Sequence, residues 1–331
     1  MRQSQTWLLR SMALVTIMPA MVFAQQPTAP ARDYPSRPIR FVVPFPAGGS
    51  VDVIGRLIGE KMSQSLGQNF LIDNRPGAGG AIAGEFVAKS RPDGYTMLLH
   101  SSAHVILPTI VKKLPFDPIK DFMPVTLVVN SVGFILVANP SVPARSVKAF
   151  IALAKARTGK INYGSSGIGS APHLAMESFS VMAGIKLMHV PYKGEAQSRT
   201  DLLGGQIDAA FSPPTTVRPL IKGGRLLAPG IGALQRWNGL PEGPTIDEAG
   251  VKGYKFVPFY GLWFPAGTPM EYVNLIQGEV AKAMMDPEVR QRFPEEGFAI
   301  VASKPEEFAK TIQEEFAFNR QLTEKIGIVP Q

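Results

Sequence analysis

Short apolar runs alternate with stretches of helical periodicity along most of the chain. Ile39–Val43 is a β-branched run. Pro44-Phe45-Pro46-Ala47-Gly48-Gly49 ends it, because prolines lack the ladder donor and glycines permit a sharp turn. From Asp52 the apolar positions are Val53, Ile54, Leu57, Ile58, Met62 and Leu66, one face of a 3.6-residue period. Ser50 is the expected N-cap, Asp52 lies in the first turn, and Gly67 is the expected stop. The stretch reads strand, glycine turn, helix. Taken alone it is an ordinary βα turn. The same turn also aims bare helix N–H groups and a partial positive charge at one spot, which suits an anion.

The pattern repeats downstream. Phe70-Leu71-Ile72 is a second strand, leading through 74–80 into a helix with Ile82, Phe86 and Val87 on its apolar side. Residues 95–99 form a third strand running to His100-Ser101-Ser102. The proline-punctuated segment 114–122 reads as a surface loop, and 125–129 and 134–137 are apolar runs broken at Asn130-Ser131. A second series follows: a helix over 146–157, a strand at 161–163, and a glycine/serine turn at 164–170. Pro172 then opens a helix that stops at Gly184. A strand at 187–190 enters Pro191-Tyr192-Lys193-Gly194, and a helix ends at Leu203. A strand at 207–211 precedes a helix stopping at Gly223-Gly224. Residues 254–264 cross back, and helices over 269–285 and 305–326 close the chain.

Strands alternating with helices at this spacing predict an α/β fold of parallel, doubly wound sheets. One crossing near 130–134 and a return near 258–261 predict two lobes, the first from 34–130 and 261–331, the second from 131–260. Ligands of such sheets sit beyond the C-terminal strand ends. Loops 44–50, 74–80 and 100–104 are therefore expected to face loops 164–170, 191–194 and 212–216 across a crevice.

Composition narrows the setting. The 331 residues, 45% of them hydrophobic, are ample for two medium domains. A mean hydropathy of +0.07 with 18% charged residues marks a folded protein. At the N-terminus, Arg2 and Arg10 precede an apolar run over 11–23, and Ala24 precedes Gln25-Gln26. That describes a secretory signal peptide over 1–24, and the run is too short to span a bilayer. Residues 25–33 form a Pro/Ala-rich tether. The chain has no cysteine, hence no disulfide framework, no lipid-bearing cysteine at the cut and no thiolate metal site. A periplasmic protein is expected.

Charge excludes one partner class. The net charge of +8 falls by two, to +6, when Arg2 and Arg10 leave with the leader. A pI near 9.6 suits anionic partners. The basic residues are scattered among acids, however, without the aromatic-interleaved basic run that nucleic acid requires. His100, His104, His173 and His189 lack metal-ligand spacing. His100 and His104 read as polar loop contacts. No metal and no cofactor are expected.

Several catalytic patterns come close and fail. Gly164-Ser165-Ser166-Gly167 misses the GxSxG spacing because Ile168 stands at its end. Gly77-Ala78-Gly79 begins GxGxxG, but Ile82 takes the third glycine position. Thr158-Gly159-Lys160 lacks the upstream glycine of a P-loop, since position 154 is Ala. Ser170 and His173 are three apart at a helix entry, with no acid placed to orient the histidine. What the loops share is donors without nucleophiles: backbone N–H groups beside glycines, and hydroxyls. Such groups suit a carboxylate.

The ordered motifs carry a resemblance. Val43-Pro44-Phe45 with Gly48-Gly49-Ser50 and Asp52, then Asn74-Arg75-Pro76-Gly77-Ala78-Gly79-Gly80, Pro92-Asp93-Gly94-Tyr95-Thr96, and Asp117-Pro118 with Lys120-Asp121-Phe122 come first. Ser165-Ser166-Gly167 with Gly169-Ser170 and His173-Leu174, His189–Gly194, Asp201-Leu202-Leu203-Gly204-Gly205-Gln206 with Asp208, and Pro265-Ala266-Gly267-Thr268-Pro269 follow. Together they resemble the Bug family, the periplasmic solute-binding proteins of tripartite tricarboxylate transporters. The resemblance runs from Tyr34 to the last helix.

It implies a two-lobed, type II periplasmic-binding-protein (Venus-flytrap) fold and capture of a small carboxylate, without catalysis. It also implies delivery by a monomer to integral-membrane permease subunits or to a sensor kinase. Carried over by motif, the ligand contacts are Phe45, Gly48, Gly49 and Ser50 on one side, and Ser165, Ser166, Gly169, Ser170 and His173 on the other. Ala78, Gly79, Ser101 and Ser102 join them by loop position. Two departures bear on the ligand. Val51 replaces a hydroxyl residue, and Ser212 follows Phe211 where relatives often carry an Asp that pairs an ammonium group. The ligand is then expected to lack an amine, as a dicarboxylic acid or, with Phe45 and Tyr192 near the crevice, an aromatic acid. Ser212 should face its far end. The competing readings are an exported hydrolase or transferase using Ser170 and His173, and a receptor feeding a two-component sensor.

Overall fold

The computed structural model describes residues 34–233 and 235–325. The expected leader at 1–24 and the expected helix end at Ile326 lie outside the described residues. The chain begins with β1 (Ile39–Val43), α1 (Ser50–Leu66), β2 (Phe70–Asn74), α2 (Ala81–Ala88), β3 (Thr96–Ser101), the one-turn α3 (Ala103–Ile106) and β4 (Phe122–Ser131). Then come β5 (Ile135–Ala138), α4 (Val147–Ala156), β6 (Asn162–Ser165), α5 (Ala171–Ala183), β7 (Met188–Pro191), α6 (Glu195–Leu203), β8 (Ala209–Ser212), α7 (Pro214–Lys222) and β9 (Leu227–Ile231). β10 (Phe259–Pro265), α8 (Met270–Ala283), α9 (Pro287–Glu295), β11 (Phe298–Ile300) and α10 (Pro305–Lys325) close the described chain.

These elements form two α/β lobes, each around one sheet. The first sheet has the order β11-β4-β10-β3-β1-β2, the second β7-β6-β8-β5-β9. Within them β2-β1-β3 and β7-β6-β8 are parallel. The strands that carry the chain between lobes, β4, β5 and β10, pair antiparallel to their neighbours. Both sheets are therefore mixed, where the alternating pattern alone predicts parallel ones. The two crossings run side by side. Ser131 N–H donates to Pro258 O (2.7 Å), Gly232 N–H to Phe134 O (2.7 Å) and Phe256 N–H to Gly232 O (2.9 Å). Gly133, at φ +123°, sits so close that a Cβ there would lie 2.8 Å from the Gly232 backbone.

The opening βα unit shows why the local pattern folds this way. Ile39, Phe41, Val42 and Val43 are all buried, as expected of a strand covered on both faces. On α1, Ile54, Leu57, Ile58 and Met62 pack inward. Burying each such side chain contributes about 1.5–3 kcal/mol, which outweighs helix propensity. Gly55 lets the helix approach the sheet, since a Cβ there would meet Leu99 Cδ2 at 2.9 Å. Gly67 takes the left-handed conformation (φ 67°) and its N–H caps Ser63 O.

Several sequence expectations change here. The N-cap of α1 is Gly49, which has no side chain to cap the helix; the Ser50 hydroxyl reaches across to the other lobe. Segment 114–122 is not wholly a surface loop: Phe116 and Phe122 are buried because they close the aromatic cluster around His104. His100 and His104 are not loop contacts. Both are fully buried, and His104 packs on Phe116, Phe122 and Trp263 while its Nε2 meets Pro118 O at 3.1 Å. Periodicity also left α9, β9 and β11 unseen, each being short or interrupted by proline or glycine.

The lobes are in contact in this structure. One apolar cluster runs from Val42 and Leu98 of the first lobe through Ile110 to Phe134, Phe179 and Phe211 of the second. Trp237 Nε1–H donates to Pro294 O (3.1 Å), and Arg218 donates to Glu295 O (2.9 Å). No helix among the described residues is long and apolar enough to cross a membrane.

Candidate functional site

A cavity of about 800 Å³, counting the solvent space at its mouth, lies between the lobes. The first lobe contributes the β1–α1 turn from Phe45 through Val51, with Ser101 at the end of β3 and Tyr260 on β10. The second lobe contributes Phe134, Ser166, Ala171, Pro172, Glu195, Ala196, Arg199 and Pro213. All but a few of these are apolar or backbone-presenting. Glu195 and Arg199 are the charged side chains of the lining.

The strand-to-helix connections decide this geometry. α1, α5 and α6 each follow the C-terminal end of a strand, and each presents its first residues to the cavity, whereas α7 sends only Pro213, the residue before its first turn. A helix N-terminus carries roughly half a positive charge and up to four N–H groups without intrahelical partners. Three such ends, from both lobes, meet in one space, an arrangement that suits an anion. The first is locked by Asp52, whose carboxylate accepts from Gly48 N–H (3.0 Å), Asn74 (3.0 Å) and the Nε and Nη2 donors of Arg56 (2.8 and 3.0 Å). Burial works against the Asp52 charge, but these donors outweigh it and hold the carboxyl below its ordinary range. Asn74 also donates to Phe45 O (2.9 Å), fixing the turn. Ser50 Oγ and Thr215 Oγ1, from opposite lobes, are 2.8 Å apart.

The sequence-derived residues divide by position. Phe45, Gly48, Gly49, Ser50, Ser101 and Ser166 line the cavity. Ser102 lies behind it, buried, with its N–H on Phe259 O (2.8 Å). Ala78 and Gly79 form a short 3₁₀ turn outside the lining. Ser165, Gly169, Ser170 and His173 form the wall behind Ser166. Ser165 Oγ meets His189 Nε2 at 2.7 Å, Ser170 Oγ donates to Gly167 O (2.7 Å), and Gly169 N–H donates to His173 Nδ1 (3.0 Å). Gly169 presses on Ile110 of the first lobe, where a Cβ would lie 1.7 Å from Cδ1. Tyr192 turns away to donate to Asp201 (2.7 Å). Ser212 is buried in β8, and Pro213 takes the lining position beside it.

Nucleophilic chemistry has little support in this arrangement. Among the described residues Ser170 and His173 are not hydrogen-bonded to each other: Ser170 Oγ donates to Gly167 O, and His173 Nδ1 accepts from Gly169 N–H. His173 stacks on His189 at 4.1 Å, and burial depresses both imidazoles to about 4. Among the described residues no group of three or more His, Cys, Asp or Glu is placed to hold a metal.

Glu195, Arg199, Tyr260 and Phe134 escaped the sequence reading. Glu195 and Arg199 had a signal: an i, i+4 acid–base pair directly after the Gly194 turn at a strand's C-terminal end. Glu195 accepts a hydrogen bond from Thr216 and lies 3.6 Å from Arg199 Nη1. Burial pushes its carboxyl up, with Thr216 and Arg199 opposing. Tyr260 and Phe134 sit inside apolar runs that give no hint of facing a cavity.

Comparison with known proteins agrees with this picture. Residues 54–328 match the model of the family described as the tripartite tricarboxylate transporter family receptor. Protein BugT of Bordetella pertussis is 33% identical over 92% of this chain and 94% of its own length. The structure of the R. palustris protein Rpa4515 with adipate superposes with a TM-score of 0.87 at 32% identity, covering 90% of this chain and 100% of that one. MatC from Rhodopseudomonas palustris with bound malate gives a TM-score of 0.83 at 29% identity, covering 87% and 99%.

Proposed function

The chain belongs to the tripartite tricarboxylate transporter receptor family, and from that premise we propose that it captures a small carboxylate between its lobes in the periplasm. It then delivers the ligand to the membrane permease of such a transporter, with no chemical step. The observation that carries this is the meeting of three helix N-termini, from both lobes, around a mostly apolar cavity. A charge-assisted hydrogen bond contributes about 1.5–3 kcal/mol. Four of them barely offset an association cost of about 4–15 kcal/mol. Micromolar binding needs roughly 8 kcal/mol net, so enclosure by both lobes must supply the remainder. The adipate and malate held by Rpa4515 and MatC support a carboxylate. The leader-like residues 1–24 support export.

The test is a thermal-shift and calorimetric screen of mono-, di- and tricarboxylates, with native mass spectrometry of protein purified from the periplasm. A ligand at 100 times its dissociation constant stabilises by about 2.7 kcal/mol. Absence of any shift across the panel overturns the reading, as does turnover of an ester panel that His173→Ala abolishes.

A further inference from the structure

Charges of both signs are mixed along most of the chain, and one stretch departs from this. Residues 122–194 hold seven Lys and Arg against a single acid, Glu177. Among the described residues none of the seven makes an ion pair. Glu177 is partly buried and occupied by the Tyr163 hydroxyl.

The fold gathers four of these cations at one place. Lys155 lies in the last turn of α4, and Arg157 is its C-cap. Lys160 follows, with its N–H on Arg157 O (2.9 Å). Lys186 comes from the connection between α5 and β7, and joins them because Gly159 N–H donates to Lys186 O (3.0 Å). All four side chains are exposed. One cation at the C-terminal end of α4 would serve the helix dipole; four exceed that need. Exposed apolar side chains flank them: Val181 and Met182 in the last turn of α5, and Met188 at the start of β7.

This patch occupies one end of the second lobe. β6 and β7 begin there, at Asn162 and Met188, and run parallel toward the cavity, which lies at the far end of the same sheet. Asp201 on α6 and Asp208 before β8 are the acids that approach this end. Both are partly buried and engaged, Asp201 by the Tyr192 hydroxyl (2.7 Å) and Asp208 by Asn162 N–H (2.7 Å). The end therefore presents cations and apolar side chains together. An acidic protein would answer the cations and leave the exposed Val181, Met182 and Met188 unexplained. A membrane with anionic headgroups answers both, because phosphates meet the cations and the acyl boundary takes the apolar side chains.

We propose that this end of the second lobe rests on an anionic phospholipid surface. Lys155, Arg157, Lys160 and Lys186 face the lipid phosphates, and Val181, Met182 and Met188 face the boundary between headgroups and acyl chains. The contact holds the receptor at the membrane and leaves the cavity uncovered. It does not depend on which ligand the cavity takes.

The experiment is co-sedimentation of the protein, purified from the periplasm, with vesicles of phosphatidylcholine alone or with about 30% phosphatidylglycerol. In low salt the protein should pellet with the phosphatidylglycerol vesicles only. Salt at about 0.5 M, where the screening length is roughly 4 Å, should release most of it. Lys155→Gln, Lys160→Gln and Lys186→Gln combined should weaken partition about 100-fold, at roughly fivefold per lysine. Lys113→Gln, Arg290→Gln and Lys304→Gln combined remove the same charge from the first lobe and should change it less than about threefold. Met182→Ser with Met188→Ser should weaken it by a smaller factor than the lysine variant. Circular dichroism and melting check that every variant is folded. Equal loss from the two charge variants means that net charge binds without this surface, and overturns the proposal. Failure to pellet with phosphatidylglycerol vesicles overturns it too, and binding to soluble polyglutamate in that case would assign the cations to an acidic protein.

Discussion

Gly169→Ala offers a direct measure of lobe closure. Gly169 has φ +74°, and a Cβ built there lies 1.7 Å from Ile110 Cδ1 and 2.9 Å from Cγ1, across the lobe interface. Two costs follow, and they separate. A left-handed alanine costs about 1–2 kcal/mol whether the lobes are open or closed. This part lowers ligand-free stability. Overpacking against Ile110, which is buried, costs about 1–3 kcal/mol only where the lobes meet. This part must be met by ligand binding. At 1.4 kcal/mol per tenfold, it raises the dissociation constant roughly 5- to 150-fold. Calorimetry reads the second cost and chemical denaturation of the ligand-free protein reads the first. Ile110→Ala removes the opposing atoms, so Gly169→Ala in that background should recover most of its affinity loss, and the double-mutant cycle isolates the contact. Affinity within twofold of the wild type for Gly169→Ala, or a loss that Ile110→Ala leaves untouched, refutes the closed contact as the binding state.

Three further outcomes follow. Ser50→Ala removes the 2.8 Å inter-lobe contact with Thr215; at about 0.5–1.5 kcal/mol it should weaken binding roughly 2- to 12-fold. Thr215→Val should do the same, and the double variant no more than either; fully additive losses in calorimetry count against the contact. Asp52 has its folded-state carboxyl held low, so its stabilising contribution is complete above pH ~4 and fades as pH falls further. Asp52→Asn should therefore melt lower at pH 7 and lose less on acidification below pH 4, and parallel melting curves for the two proteins would contradict this. His104 is depressed to about 3 by burial, against the pull of Pro118 O. Its contribution is complete above pH ~6.5 and is lost as pH falls toward 3, by up to ~1.4 kcal/mol per pH unit. His173 and His189, depressed to about 4, act in the same direction. Urea midpoints should fall between pH 7 and pH 5, and a flat profile would mean that these imidazoles are not buried neutral.

Much of the fold was legible in the chain because its causes are local. Periodicity marks β1 and α1, Gly67 marks the helix stop, and the repeated strand–turn–helix order marks an α/β architecture with loops gathered at strand ends. The turn 44–50 was legible as a helix start suited to an anion for the same reason: glycines, helix N-terminus and strand end are contiguous. The remainder depends on contacts between residues far apart in sequence. Antiparallel entry of β4, β5 and β10 follows from the chain crossing twice between lobes, which no window of residues encodes. His100 and His104 look like loop polar residues until Phe116, Phe122 and Trp263 close around them. Gly169 looks like a ligand-loop glycine, and in three dimensions it is the point where Ile110 of the other lobe arrives. Ser212, Tyr192, Glu195 and Arg199 lie within 21 residues of one another, yet the cavity takes only the last two. The direction in which a side chain leaves its strand or helix, and what the opposite lobe places there, decides that. Sequence by itself determined which elements form and which loops cluster, since backbone chemistry and periodicity act over a few residues. The tertiary structure alone decided which donors and charges face one cavity, because that is set by the packing of two lobes against each other.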